Sequence, residues 1–270
     1  MATKNPVRLL RSHVVHRIAS RAIAEFILCV TVISCIGFIV YRGVDYHLNE
    51  ALEHAVSRQI NTLAHSLGQQ FRQELQEMRD GAWLVGHRRL TPEELVGAFT
   101  THDRGVTVGI RLRDGTLLAG EIPPGRKDTL LEQKNYAGES TITYWENRGL
   151  MFAAPIFDEQ EDQVVGVFYK LYNNQAMLDQ FNLLSYDGEG TVELFDKTGP
   201  LGALTQGKDS VIDVGNFCET PEIQEQFRQL WESVQQIGNG AEHVKYKKKF
   251  YFIFGSKVPN TDFLLMGYVP

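Results

Sequence analysis

Residues 140–172 read STITYWENRGLMFAAPIFDEQEDQVVGVFYKLY. Three apolar runs, rich in β-branched and aromatic residues, are parted by two polar turns, ENRG (146–149) and DEQED (158–162). That is the pattern of consecutive antiparallel strands. Upstream, GVTVGIRLRDGTLLAG (105–120) reads as strand, Asp114-Gly115 hairpin turn and strand. Downstream, NNQAMLDQFNLL (173–184) reads as a short helix. The plan then recurs. GTVELFDKTGPL (190–201) is strand and turn, 221–236 is a helix, and AEHVKYKK (241–248), FYFIFGSKV (250–258) and DFLLMGYV (262–269) are strands. The reading is an α+β chain with two consecutive antiparallel sheets, one within residues 81–184 and one within 185–270.

Ahead of the sheets, Leu48, Leu52, Val56, Ile60, Leu63, Leu67, Phe71, Leu75 and Met78 recur at spacings of three or four, with polar residues between them. This predicts one amphipathic helix over 44–80. Its length suits a stalk, and its stripe is long enough to meet a second chain, so a homodimer is expected. Residues 22–41 hold the uncharged run FILCVTVISCIGFIVY (26–41). Ala22 to Ala24 extend it past Glu25 to about 20 residues, enough to cross a bilayer as a helix. Lys4, Arg8, Arg11, Arg17 and Arg21 precede it with no acid among residues 1–21. That tail places the N-terminus in the cytoplasm and residues 43–270 outside it. Val40, Tyr41 and Arg42 make no small-x-small cleavage site, so the segment is expected to stay as an anchor.

The net charge is −6. Past the basic tail, 22 basic and 33 acidic residues leave −11, which excludes a nucleic-acid footprint. Of three cysteines, Cys29 and Cys35 fall in the apolar run and Cys218 stands alone, so the exported part has no disulfide to form. GALTQGKDS (202–210) has the spacing of a phosphate loop, but Asp209 replaces the hydroxyl that would hold magnesium, and no strand-to-helix context surrounds it. Eight histidines are spread without ligand spacing. No nucleophile elbow or paired acids stand out. Neither an enzyme nor a metal or cofactor is expected.

The order of parts resembles the double Cache domains, the tandem PAS-like sensors of bacterial membrane receptors. The matching stretches are AAPIFDEQEDQVVGVFYKLYNNQAML (153–178), SYDGEGTVELFDKTG (185–199) and SKVPNTDFLLMGYVP (256–270). The resemblance covers roughly residues 40–270. It implies a membrane-distal sheet that binds a small molecule and a membrane-proximal sheet. It also implies a place in the bacterial inner membrane, and a second span and output module beyond Pro270. The output would be of the diguanylate cyclase or histidine kinase kind. The alternative is a stand-alone anchored scaffold with a filled pocket.

By the same resemblance, ligand sits on the distal sheet under the loop 121–140. The residues expected there are Lys134 and Tyr136 from that loop, with Tyr144, Phe152 and Tyr169 from strands. Amino-acid-binding members carry an Arg-x-Trp-Tyr stretch in the loop and an Asp on the last distal strand. Here the stretch is lacking and Leu171 stands near the position of the Asp. A ligand ammonium would then lose a charged partner. The expectation is therefore a small carboxylate and not an amino acid, with Arg126, Lys127 and Lys134 as loop cations.

Overall fold

The computed structural model describes residues 6–100, 105–121, 129–145, 149–181, 191–197, 199–203, 221–246 and 249–269. One continuous helix, α1 (Pro6–Gly86), opens the chain. Residues 1–52 form one unit and residues 53–270 another. In the first, Ile33, Phe38, Ile39 and Tyr41 are exposed. Among the described residues no helix is long and apolar enough to cross a membrane. The side chains of residues 22–29, part of the expected span, lie outside that description.

In the second unit the apolar stripe of α1 becomes a core ridge. Val56, Ile60, Ala64, Leu67, Phe71, Met78 and Ala82 are all buried, as helical spacing requires of a face laid against a sheet. Two five-stranded antiparallel sheets pack on it. The first contains β1 (Val106–Leu112), β2 (Leu117–Gly120), β3 (Thr141–Trp145), β4 (Gly149–Phe157) and β5 (Val164–Asn173), in the order β2-β1-β5-β4-β3. The second contains β6 (Thr191–Asp196), β7 (Gly199–Ala203), β8 (Asn239–Tyr246), β9 (Lys249–Lys257) and β10 (Leu264–Val269), in the order β7-β6-β10-β9-β8. Each sheet thus repeats one plan, with its last strand in the middle. Phe71 is where the two meet α1. Its ring lies edge-on to Phe152 at 5.6 Å, Phe181 at 5.1 Å and Phe263 at 6.3 Å, arrangements the aromatic quadrupole favours.

Among the described residues, four further helices decorate the sheets. In α2 (Pro92–Phe99), Thr91 accepts from the Glu94 amide while the Glu94 carboxylate takes the Thr91 amide. This is a capping box with proline in the first turn, and the sequence reading passed over its signature, TPEE. Asn173 caps α4 (Asn174–Gln180) by accepting from the Ala176 amide. The stretch 121–140, read as a loop, contains α3 (Thr129–Tyr136). Finally, α5 (Pro221–Ile237) lays Ile223, Phe227, Leu230 and Val234 on the face of the second sheet away from α1. The stretch 202–210 lies largely outside the described residues, as does Cys218.

Candidate ligand-binding face

Period-two alternation gives the first sheet two distinct faces. On β4, Leu150, Phe152, Ala154 and Ile156 join the core against α1, while Met151 and Ala153 point the other way. On β5, Phe168 and Tyr172 turn to α1, while Val167, Tyr169 and Leu171 turn away. The away face gathers Trp145, Met151, Ala153, Val167, Tyr169 and Leu171 into a separate buried cluster, and Tyr136 of α3 packs against it. This is a packed apolar cluster with a residue of a short helix laid against it.

Tyr169 has a specific arrangement. Its register partner on β1 is Gly109, which in turn pairs with Gly120 on β2. A Cβ on Gly109 would come within 2.5 Å of the Tyr169 hydroxyl oxygen and of the Glu121 carbonyl. The bare glycine therefore lets the phenol cross β1 and donate to the Glu121 carbonyl at the far side. Burial pushes the Tyr169 pKa far up, only partly opposed by nearby Arg111, with Glu121 pushing it further up. The group is held as a neutral donor. Tyr136 donates to the Leu112 carbonyl at 2.9 Å, and the Arg113 guanidinium lies 5.9 Å from its ring centroid. Behind α3, buried Asn135 donates to the Glu139 carbonyl at 2.9 Å and to the Thr141 hydroxyl at 3.0 Å. These bonds fix the exit of α3 to the start of β3.

Of the five residues expected from sequence, Tyr136 and Tyr169 come together on this face. Phe152 is fully buried on the opposite face, in the aromatic group around Phe71. Tyr144 also faces α1; its hydroxyl donates to Asn174 Oδ1 at 2.6 Å, and burial raises its pKa against that bond. Lys134 is exposed in the last turn of α3. Arg126 and Lys127 lie outside the described residues. The sequence reading missed Trp145, Met151 and Val167. The alternation was there to use, since residues two apart from Tyr169 must share its face. It was hidden because β4 and β5 are buried on both sides and show no polar register.

No protein-family model and no curated protein sequence matches the chain. Solved structures do. The extracellular domain of mmHK1S-Z2, a protein named as a histidine kinase, matches with TM-score 0.53 and 15% identity, over 80% of this chain and 96% of that one. The ligand-binding domain of the Pseudomonas fluorescens chemoreceptor CtaA with L-isoleucine matches with TM-score 0.54 and 12% identity, over 83% and 94%. That of the Pseudomonas aeruginosa amino acid chemoreceptor PctB with L-Arg matches with TM-score 0.51 and 16% identity, over 82% and 94%. At this identity the likeness is one of fold alone.

One expectation is corrected by these matches. In the sequence, the lack of an Arg-x-Trp-Tyr stretch and the presence of Leu171 argue against an amino acid. Proteins of this fold hold L-isoleucine and L-Arg, so that expectation does not stand. Its physical weakness is that an ammonium can be satisfied by carbonyl and phenol oxygens as well as by an acid. One strand position cannot decide the matter.

Proposed function

We propose that this chain, which has the double Cache fold, is the extracytoplasmic sensing part of a bacterial membrane receptor. Its ligand is amino-acid-sized, with amino acids the first class to test. It sits on the α3 side of the first sheet, over Trp145, Met151, Ala153, Tyr169 and Leu171. Tyr136 approaches from α3, and exposed Lys134 is a candidate contact at the rim. In this reading residues 81–184 are the membrane-distal module and 185–270 the membrane-proximal one. Residues 22–41 anchor the chain in the inner membrane, with residues 1–21 cytoplasmic. The observation that carries the reading is the buried cluster on the face of the sheet turned away from α1, separate from the main core and roofed by a short helix. An apolar floor with a few aimed polar groups is how small-molecule sites are built.

The test is thermal unfolding of the full chain in lipid nanodiscs against each of the twenty L-amino acids. A ligand at 100 times its dissociation constant adds about 2.7 kcal/mol, a rise of roughly 5–10 °C for a body of this size. No rise with any of them would defeat the ligand assignment. Orientation is tested separately with protease outside intact spheroplasts. Digestion of residues beyond Gly43 with survival of a tag before Lys4 is expected, and the reverse pattern overturns the topology.

A further inference from the structure

Between Tyr169 and Leu171, both on the proposed ligand face, stands Lys170, which points to the other side. Its Nζ donates to Glu74 Oε1 of α1 at 2.8 Å, and the two side chains are only 8% and 11% exposed. The ammonium also lies 4.8 Å from the centroid of the Tyr172 ring and 5.6 Å from that of Phe99. Thus the central strand of the first sheet is joined to α1 by a charge pair set among aromatic rings. We infer that Lys170–Glu74 is the coupling element of the sensor: it transmits displacement of β5, caused at the Tyr169 and Leu171 face, to the long helix.

The pair couples the two elements through its stiffness. Most of what holds α1 to the first sheet is apolar, as in the Phe71–Phe152 contact. Dispersion contacts are individually weak and non-directional. They tolerate small slips. A buried ion pair does not, because separating it strands two desolvated charges. Such a pair is a poor device for stability, since two well-packed apolar side chains would serve as well. It is a good device for fixing register between two elements. The pair also borders a cleft of about 630 Å³, lined by Leu84, Leu95, Phe99 and Tyr172 among others, so both side chains have room to move as a unit. Because α1 continues without a break through Glu74, a shift delivered there acts on the helix as a whole. A ligand that favours one position of β5 would thereby favour one position of α1.

The inference rests on the sensing face proposed above but is tested without a ligand, so the two can fail independently. Hydrogen exchange is measured on the full chain for α1 amides 70–78 and for α3. Two perturbations of the face are used: Leu171→Trp, and the milder Tyr169→Phe, which only removes the bond to the Glu121 carbonyl. In the otherwise native chain, either that folds should change exchange in 70–78 at least threefold. In the double variant Lys170→Met/Glu74→Met, which leaves no stranded charge, the change in 70–78 should vanish while α3 still responds. Persistence of the α1 response in that background overturns the inference. So does an α1 that stays silent in the native background.

Discussion

The hydroxyl of Tyr136 donates to the carbonyl of Leu112 at 2.9 Å and so closes α3 onto the end of β1. Replacing Tyr136 by Phe keeps the ring on the apolar floor and removes about 0.5–1.5 kcal/mol. Amide exchange in residues 129–136 is expected to speed up several-fold, with the melting temperature little changed. Unchanged exchange would show that α3 is held by packing alone.

Gly109 is predicted to admit no side chain. In Gly109→Ala the new methyl meets the Tyr169 phenol and the Glu121 carbonyl at 2.5 Å, and overpacking of this kind costs about 1–3 kcal/mol. The variant should unfold at lower denaturant, and pairing it with Tyr169→Ala should recover part of the loss. Simple addition of the two losses would mean that the phenol does not cross β1 at this glycine.

Much of the fold was legible because turns and periodicities were explicit. The runs around ENRG and DEQED became β3, β4 and β5, and the nine-position stripe beginning at Leu48 lies on α1. The site was harder to read. Tyr144, Phe152 and Tyr169 all look like strand aromatics in sequence, and only register shows that the first two turn to α1 while the third turns away. The Lys170–Glu74 pair was equally hidden, because a lysine in an apolar strand reads as an edge or surface residue until its partner, 96 positions away, is placed. Helix α3 carries no apolar stripe to reveal it, and its order comes from Tyr136 and Asn135 bonding to neighbouring backbone.

Phe71 should be a costly residue to truncate. It is fully buried and touches aromatic rings from both sheet regions. Phe71→Ala is expected to cost about 3–5 kcal/mol, lowering the melting temperature by about 10 °C. Both sheets should lose protection together in hydrogen exchange. Loss confined to the first sheet would contradict a shared core.

Glu242 predicts a pH dependence. Burial, and secondarily the charge of Glu53, raise its pKa above the ordinary 4.5, with His243 opposing. Glu53 is itself 2.8 Å from His243. A carboxyl raised in the folded state favours the protonated form there. Its stability is therefore present below pH 4.5 and is lost as pH rises through the raised value. Glu242→Gln should melt higher than the native chain at neutral pH, and the gap should close on acidification below pH 4.5. A gap independent of pH would show that ionisation of Glu242 is not its cause.

The most direct measurement is a titration followed by the emission of Trp145, which lies buried in the proposed ligand face. Trp83→Phe and Trp231→Phe leave it as the sole indole, since the chain has three tryptophans. On this assignment any L-amino acid that raises the melting temperature also changes Trp145 emission saturably, with the same dissociation constant. An amino acid that stabilises the chain while Trp145 emission stays flat would place the ligand elsewhere and contradict it.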